Sequence, residues 1–204
     1  LSNGTAGNGG SGHVLVTDLD NYTVLESIEV GKGPESLIKL DNKVFVTNAG
    51  GYSVGNTISV INTSTDKVVE TIEVANVPSD IVKDKNNNIW VYCKGDLNWD
   101  TYNYENAKII KINADNYETQ DFSIGTLTSF GNYNLSIGPR GENLYYVGNA
   151  GVYKMNINDS SAPGQPVIDK LPYGLDVNPA NGDIYCLTTA AQSKGKAYRY
   201  DENH

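Results

Sequence analysis

A short strand-like segment recurs five times along the chain, and its spacing constrains the fold more than any other feature. Successive copies start 44, 51, 43 and 45 residues apart. They read VLVTD at 14–18, ISVIN at 58–62, IIKIN at 109–113, VYKMN at 152–156 and AYRYD at 197–201. A period of about 45 residues with four strands is typical of a β-propeller blade. We therefore predict an all-β fold, a β-propeller of four-stranded antiparallel blades. The period argues against a β-sandwich, whose units are about 100 residues long.

The repeats divide one predicted propeller domain, residues 1–204, into units of approximately 1–30, 31–74, 75–124, 125–169 and 170–204. In the second unit we predict strands at 34–40, 43–47, 57–62 and 67–74, with the inner strand first and the outer strand last. The fourth unit should have its outer strand near 165–169. The first and last repeated segments are copies of the same strand, so a four-bladed ring has no place for both. We expect about four blades of a longer ring.

The composition agrees with many short strands joined by tight turns. The chain has 25 Asn and 21 Gly, which tolerate the positive φ of tight turns, and 14 Tyr, which favours strands. Its net charge of −9 disfavours binding to nucleic acid or anionic lipid, because both require clustered Lys and Arg. No apolar run approaches the roughly 18 residues of a membrane-spanning helix, so we expect no such segment in this chain.

Two stretches resemble a known family of repeats. FVTN at 45–48 differs by one residue from the signature of the YVTN-repeat (YncE-like) β-propellers, and NTISVINTSTDKVVETIEVANVPSDI at 56–81 is similar to their whole repeat. The resemblance implies seven blades and an exported protein of a Gram-negative gut bacterium, at the cell surface or in the periplasm. It also implies a lipid anchor through a segment absent from this chain. Relatives of this kind include surface-layer proteins and a lipoprotein that captures cobalamin.

The connections differ between the two ends of the predicted blades. One end carries short turns such as NTSTDK and NPANGD, whose Asp and Asn residues we expect to cap the turns. The other end carries the longer loops 48–56, 93–106, 125–134 and 188–196, here called the loop face. Aromatic rings beside amides suit planar or polyol ligands, and rings that pack the loops are the alternative. The predicted ligand-binding residues are Tyr52, Asn98, Trp99, Tyr102, Tyr104, Phe130, Asn132 and Tyr133.

The residues that catalysis would need are scarce. The chain has two His, and it lacks a Cys-x-x-Cys pair, a phosphate-binding Gly loop and a nucleophile elbow. We therefore predict no enzyme, no metal site and no cofactor. Trp90 repeats an aromatic position of the strand pattern, which indicates core packing. Cys93 and Cys186 lie two repeats apart, which indicates buried free thiols.

These observations favour a binding function. We expect a surface module that captures a small ligand, a corrinoid or a glycan, for an outer-membrane transporter. The alternative is a protein-interaction or surface-layer propeller without a small-molecule ligand. A lactonase-like or quinoprotein-like enzyme is a minor alternative, for which the inner strands offer Glu35, Asp80 and Asp176.

Overall fold

The computed structural model describes residues 10–128, 132–190 and 193–202, and this part of the chain is all β. Its strands form five antiparallel sheets, and the described residues contain no helix. Consequently none of them provides a helix long and apolar enough to span a membrane. The chain divides into two compact units, Leu1–Ile81 and Val82–His204, which are described separately below.

The first unit contains the first and second sheets. The first sheet pairs β1 (Gly12–Thr17) with β2 (Val24–Val30). The second sheet has the order β3 (Pro34–Leu40), β4 (Lys43–Asn48), β5 (Thr57–Asn62) and β6 (Lys67–Glu73). Each strand pairs with the next one in the chain, as in a propeller blade. The four strands predicted for the second repeat are confirmed, with ends that differ by at most one residue.

A Thr-Asn pair at the end of β4 ties the strands of the second sheet together. Thr47 is buried, and its hydroxyl accepts a hydrogen bond from Ser36 N (2.9 Å) at the register shift of β3. The buried Asn48 amide donates to Thr57 Oγ1 (3.1 Å) and Ser59 Oγ (3.0 Å) of β5. The two residues of the FVTN motif therefore satisfy polar groups inside the sheet.

The second unit contains the remaining three sheets. The third has the order β7 (Pro78–Lys83), β8 (Asn88–Cys93), β10 (Asn103–Asn113) and β11 (Thr119–Thr128). The short β9 (Asp96–Asn98) also pairs with β10. The first residues of β7 precede Val82, where the second unit begins. The fourth consists of β12 (Leu135–Ile137), β13 (Asn143–Val147) and β14 (Val152–Asn156). The fifth consists of β15 (Gly174–Val177), β16 (Ile184–Ala190) and β17 (Ser193–Tyr200).

The outer strand predicted near 165–169 is reduced to a single bridge between Val152 and Ile168. Pro166 has no N–H to donate, and the preceding residues, NDSSAPG, are turn formers. The prediction of a full strand is therefore wrong, and most of β14 has no outer strand beside it.

The core of the second unit lies between its sheets and contains the aromatic residue of the second strand of the third and fourth sheets, Trp90 and Tyr145. Trp90 is fully buried, packs on Phe122 at 5.3 Å between ring centroids and donates its indole N–H to Asp84 Oδ2 (2.9 Å). The buried Tyr92 hydroxyl donates to the Val147 carbonyl of the fourth sheet (2.8 Å). The prediction that Trp90 is a core residue is confirmed.

The Asp and Asn residues of the short turns cap them, as predicted. In each case a side-chain oxygen accepts a hydrogen bond from the backbone N–H two residues later. The residues are Asp18 (2.8 Å), Asn62 (2.8 Å), Asn113 (2.8 Å), Asn156 (3.1 Å) and Asn178 (2.9 Å). These turns join neighbouring strands at a fixed register.

Candidate ligand-binding surface

The loop 93–106 folds as a hairpin with a hydrogen-bonded tip. Asn98 Oδ1 accepts hydrogen bonds from the backbone N–H groups of Asp100 (2.9 Å) and Thr101 (3.2 Å). Tyr102 N donates to the Asn98 carbonyl (2.8 Å) and has a φ of 55°. A non-glycine residue adopts this conformation only where surrounding bonds hold it. The turn between β9 and β10 is therefore structured rather than an irregular loop.

The base of the hairpin is bonded in the same way. The Asn98 side-chain amide donates to Glu105 Oε1 (2.8 Å), and the Asn106 amide donates to Asp96 Oδ2 (3.2 Å). Gly95 has a φ of 88°, and a Cβ at this position would collide with the Glu105 carbonyl oxygen. β10 is 11 residues long and runs from the hairpin into the middle of the third sheet. The hairpin is thus anchored on a core strand.

Two aromatic rings project from the tip of this hairpin into solvent. Trp99 is 73% exposed and Tyr102 is 56% exposed. Tyr104, on β10, is half-buried and packs against the core of the unit. The Asp100 side chain, between the two exposed rings in sequence, is also in solvent. The tip therefore presents two apolar faces and a carboxylate.

Two of the residues predicted on the loop 125–134, Asn132 and Tyr133, are described by the structure, and both are internal or engaged. Tyr133 is 3% exposed, and its ring stacks on Tyr92 at 6.2 Å. Its hydroxyl donates to the Thr128 carbonyl (2.5 Å), and burial raises its pKa above the usual value. The Asn132 amide donates to the Tyr173 carbonyl (2.5 Å) and so joins two loops. In this conformation Tyr133 packs in the core of the second unit, and Asn132 holds its loop to the residues around Tyr173.

The two remaining predicted ligand-binding residues are Tyr52 and Phe130. Tyr52 is 99% exposed in a turn of the first unit, and Phe130 lies outside the described residues. The hairpin thus brings together Asn98, Trp99, Tyr102 and Tyr104, and it leaves two of their rings in solvent.

Two cavities lie elsewhere in the second unit. One, of about 280 Å³, is lined by Ser123 and Ile124 of β11, by Tyr146, Gly148 and Tyr153, and by Ala162, Pro163 and Gly164. The other, of about 260 Å³, is lined by polar residues including Asn88, Lys111 and Gln120. The stacked pair Tyr146 and Tyr153 (5.3 Å between centroids) was not predicted as a site. The repeated strand pattern could have indicated only that Tyr146 is internal.

The described residues contain no group of three or more His, Cys, Asp or Glu side chains arranged to hold a metal ion. Cys93 and Cys186 are buried and free, as predicted, and burial raises the pKa of the Cys186 thiol. Asp84 is buried, but its carboxylate accepts hydrogen bonds from Asn86 N, Asn88 and Trp90. Ser136 donates to Asp176 Oδ1 (3.1 Å), which joins two inner strands.

Comparison with known protein families assigns the chain to a family. Residues 8–203 match the family model described as "Domain of unknown function (DUF5074)". The chain belongs to the DUF5074 family. A comparison of this DUF5074 sequence with curated proteins gives no match.

Solved structures similar to this DUF5074 chain support the fold. Kuenenia stuttgartiensis hydrazine synthase, which has β-propeller domains, matches with a TM-score of 0.61 and 18% identity over 93% of this chain and 60% of that one. A chain of the complex of KlAtg21 with the coiled coil of AgAtg16 matches with a TM-score of 0.59 and 13% identity, over 93% and 58%. The DUF5074 chain therefore spans about 60% of the length of these solved chains and has a propeller-like, antiparallel all-β fold.

Proposed function

We propose that this protein is a binding module that recognises its ligand with Trp99 and Tyr102 of the β9–β10 hairpin. The observation that carries the proposal is the exposure of both rings, 73% and 56%, on a turn whose backbone is hydrogen-bonded. An ordered tip loses little conformational entropy when it binds, so more of the contact energy appears as affinity. Burying a large apolar side chain contributes about 1.5–3 kcal/mol, so two partly exposed rings can account for at least a tenfold change in affinity.

The shape of the tip favours an extended ligand, and we propose a glycan. Small-molecule sites enclose about 70–90% of the ligand surface, whereas these rings project outwards and line neither of the cavities described above. A sugar ring can lie flat on an indole or phenol face, and the exposed Asp100 carboxylate can accept hydrogen bonds from its hydroxyls. A corrinoid would require an enclosing site that the hairpin does not provide.

A protein partner is the second candidate, because the amides expected to bind a polyol are already engaged. Asn98 donates to Glu105, and Asn132 donates to the Tyr173 carbonyl. Exposed Trp and Tyr side chains are the residues most enriched at the energetic centres of protein interfaces. Partners that present a Lys or Arg would gain a cation–π contact with Trp99.

We further propose that the protein is a YVTN-repeat propeller with a seven-bladed ring. The structural roles of Thr47 and Asn48 and the length of the similar solved chains support this proposal. On this basis we propose an exported protein at the cell surface or in the periplasm, lipid-anchored and working with an outer-membrane transporter. We propose binding rather than catalysis, because the side chains that project from the hairpin are mainly aromatic.

The test is a binding screen against a glycan array and free cobalamin, with Trp99→Ala and Tyr102→Ala single and double variants. The double variant should weaken binding at least tenfold and leave the melting temperature nearly unchanged. Tyr22→Ala is the matched control, since Tyr22 is 79% exposed on a short turn. Normal binding together with reduced stability of the double variant would show that the rings only pack the hairpin. Binding of cobalamin alone would contradict the glycan assignment, and crosslinking to a protein from position 99 would favour the second candidate.

A further inference from the structure

The fifth sheet exposes a face that is buried in the second, third and fourth sheets. The second strand of each of these four sheets carries an aromatic residue at the same position, and it is fully or almost fully buried in the second, third and fourth sheets. The fifth sheet differs, because Tyr185 is 39% exposed; the buried equivalents are Phe45, Trp90 and Tyr145. Two residues later the same contrast recurs. Leu187 is 51% exposed, whereas Thr47, Tyr92 and Val147 are buried.

In the third and fourth sheets this face contacts the sheet that follows in the chain. We call it the forward face, and in the third sheet it carries Trp90, Tyr92 and Lys111. Tyr92 donates its hydroxyl to the Val147 carbonyl (2.8 Å), and Lys111 donates to the Ile157 carbonyl (3.4 Å). In the fourth sheet the forward face carries Ser136, Tyr145 and Lys154. Ser136 donates to Asp176 (3.1 Å), and Lys154 donates to the Glu202 carbonyl (3.2 Å).

A cation lies at the same position of the forward face in the third and fourth sheets. Lys111 pairs across the strands with Trp90, and its Nζ lies 5.2 Å from the centre of that ring. Lys154 pairs with Tyr145 in the same way, at 5.6 Å. The two lysines are third in the repeated segments IIKIN and VYKMN. Each therefore packs on the aromatic residue of its own sheet and donates to the next sheet.

The carbonyl acceptors are equivalent as well. Ile157 directly follows the segment VYKMN, and Glu202 directly follows the segment AYRYD. The acceptor in both interfaces is therefore the first residue after the repeated segment of the next sheet. This contact is a repeated feature of the interfaces between consecutive sheets of the second unit.

The fifth sheet has the donor of this contact on its exposed face. Arg199 is third in AYRYD and pairs across the strands with Tyr185. Its side chain is 69% exposed and lies 3.7 Å from the Asp183 carboxylate. A guanidinium is permanently charged and has five N–H donors, so it can donate to a carbonyl as the two lysines do.

We propose that the forward face of the fifth sheet, formed by Tyr185, Leu187, Ala197 and Arg199, is covered by a further sheet of the same repeat in the same polypeptide. Arg199 donates to the main-chain carbonyl of the first residue after the repeated segment of that sheet. We infer that the covering element is a sheet of the same repeat because the forward faces of the third and fourth sheets are each covered by the next sheet in the chain. The inference rests on the proposed continuation of the ring and does not depend on the proposed ligand.

The first test compares tyrosine modification in the product of the complete gene and in the 204-residue chain. Tyr185 should be protected in the complete protein and should react in the 204-residue chain. Tyr52, 99% exposed, and Tyr145, 1% exposed, are the reactive and protected standards in both samples. A Tyr185 that reacts as fast as Tyr52 in the complete protein would overturn the proposal. Protection of Tyr185 that rises with the concentration of the 204-residue chain would assign the face to a second copy and would equally overturn it.

The second test isolates the hydrogen bond of Arg199. Arg199→Lys restores the side chain found at this position in the two preceding sheets, whereas Arg199→Met keeps the aliphatic stem and removes the donor. In the complete protein Arg199→Met should raise the unfolding equilibrium constant at least tenfold relative to Arg199→Lys. In the 204-residue chain the two variants should unfold alike, and an equal difference in both proteins would refute the proposed bond. Neither variant should change ligand binding, so a failed ligand screen would leave this result unaffected.

Discussion

Replacing Asp84 with alanine should destabilise the protein by about 4 kcal/mol, because this buried carboxylate satisfies several donors at once. It accepts hydrogen bonds from Asn86 N (2.8 Å), Asn88 N (2.9 Å) and Trp90 Nε1 (2.9 Å). The turn is exposed, so water can replace Asp84 at the two backbone groups at a cost of about 1 kcal/mol each. The indole N–H lies in a fully buried side chain, and leaving it unpaired costs about 2 kcal/mol.

A double-mutant cycle separates the indole bond from the turn. Asp84→Asn keeps an oxygen for the backbone donors but places an amide N–H against the indole N–H, so it should lose about 2 kcal/mol. Trp90→Phe removes the indole donor. Trp90→Phe should therefore lower the free energy of unfolding by about 2 kcal/mol less in the Asp84→Ala background than in the wild type, apart from the effect of the cavity that it creates in both.

The assay is urea unfolding followed by far-ultraviolet circular dichroism, because Trp99 would contribute to any fluorescence signal. All four proteins of the cycle are measured under the same conditions, and Asp100→Ala on the exposed hairpin serves as the control for a surface carboxylate. A coupling energy below about 0.5 kcal/mol is typical of independent sites. Such a value would refute the claim that Asp84 is retained to satisfy Trp90.

Three further predictions concern other parts of the fold. Thr47→Val should destabilise the protein by about 1–3 kcal/mol in urea unfolding, because it leaves the bulge of β3 without its hydroxyl partner, whereas Thr47→Ser should lose much less. Gly148→Ala should lower the melting temperature, since its Cβ would lie 2.5 Å from the Tyr153 ring, and Tyr153→Leu should relieve part of the loss. Burial raises the pKa of Tyr92 above its usual value of 10, so its contribution to stability is complete below pH 10 and declines at higher pH. Tyr92→Phe should flatten this decline in denaturation measured from pH 8 to 11.

The strands of the fold could be predicted from the sequence because the repeat marks their positions. Apolar and aromatic positions recur at the same phase, and the Asn and Gly between them leave little choice of turn position. The prediction of an outer strand near 165–169 was wrong because an edge strand that contains Pro166 has too few backbone hydrogen bonds to form a full pairing with its neighbour. The Asp84–Trp90 bond could not be predicted, since only the geometry of the turn brings a carboxylate to an indole six residues away.

The candidate site was harder to predict, because residue type alone does not distinguish a ring that binds from a ring that packs. Trp99 and Tyr133 are both aromatic residues beside an Asn in long loops. In the structure the Trp99 ring is in solvent, whereas the Tyr133 ring is buried and stacks on Tyr92. The amides of Asn98 and Asn132 are donors with geometric partners close by in the fold, and a sequence does not specify which partner an amide finds.

The extra length of the third repeat favours a functional rather than a connecting role for the hairpin. The spacing of 51 residues, against 43 to 45 elsewhere, arises where β9 and the start of β10 are added, and connecting two strands requires only about two to five residues. These additional residues are ordered by internal hydrogen bonds of Asn98 and Asn106, although ordering each residue costs about 1–2 kcal/mol of entropy. The tip nevertheless leaves its two largest apolar side chains in solvent. The rings of Trp99 and Tyr102 are not buried within the hairpin, so the free energy of burying them is gained only when a ligand covers them. This is why we propose the ligand contact at Trp99 and Tyr102.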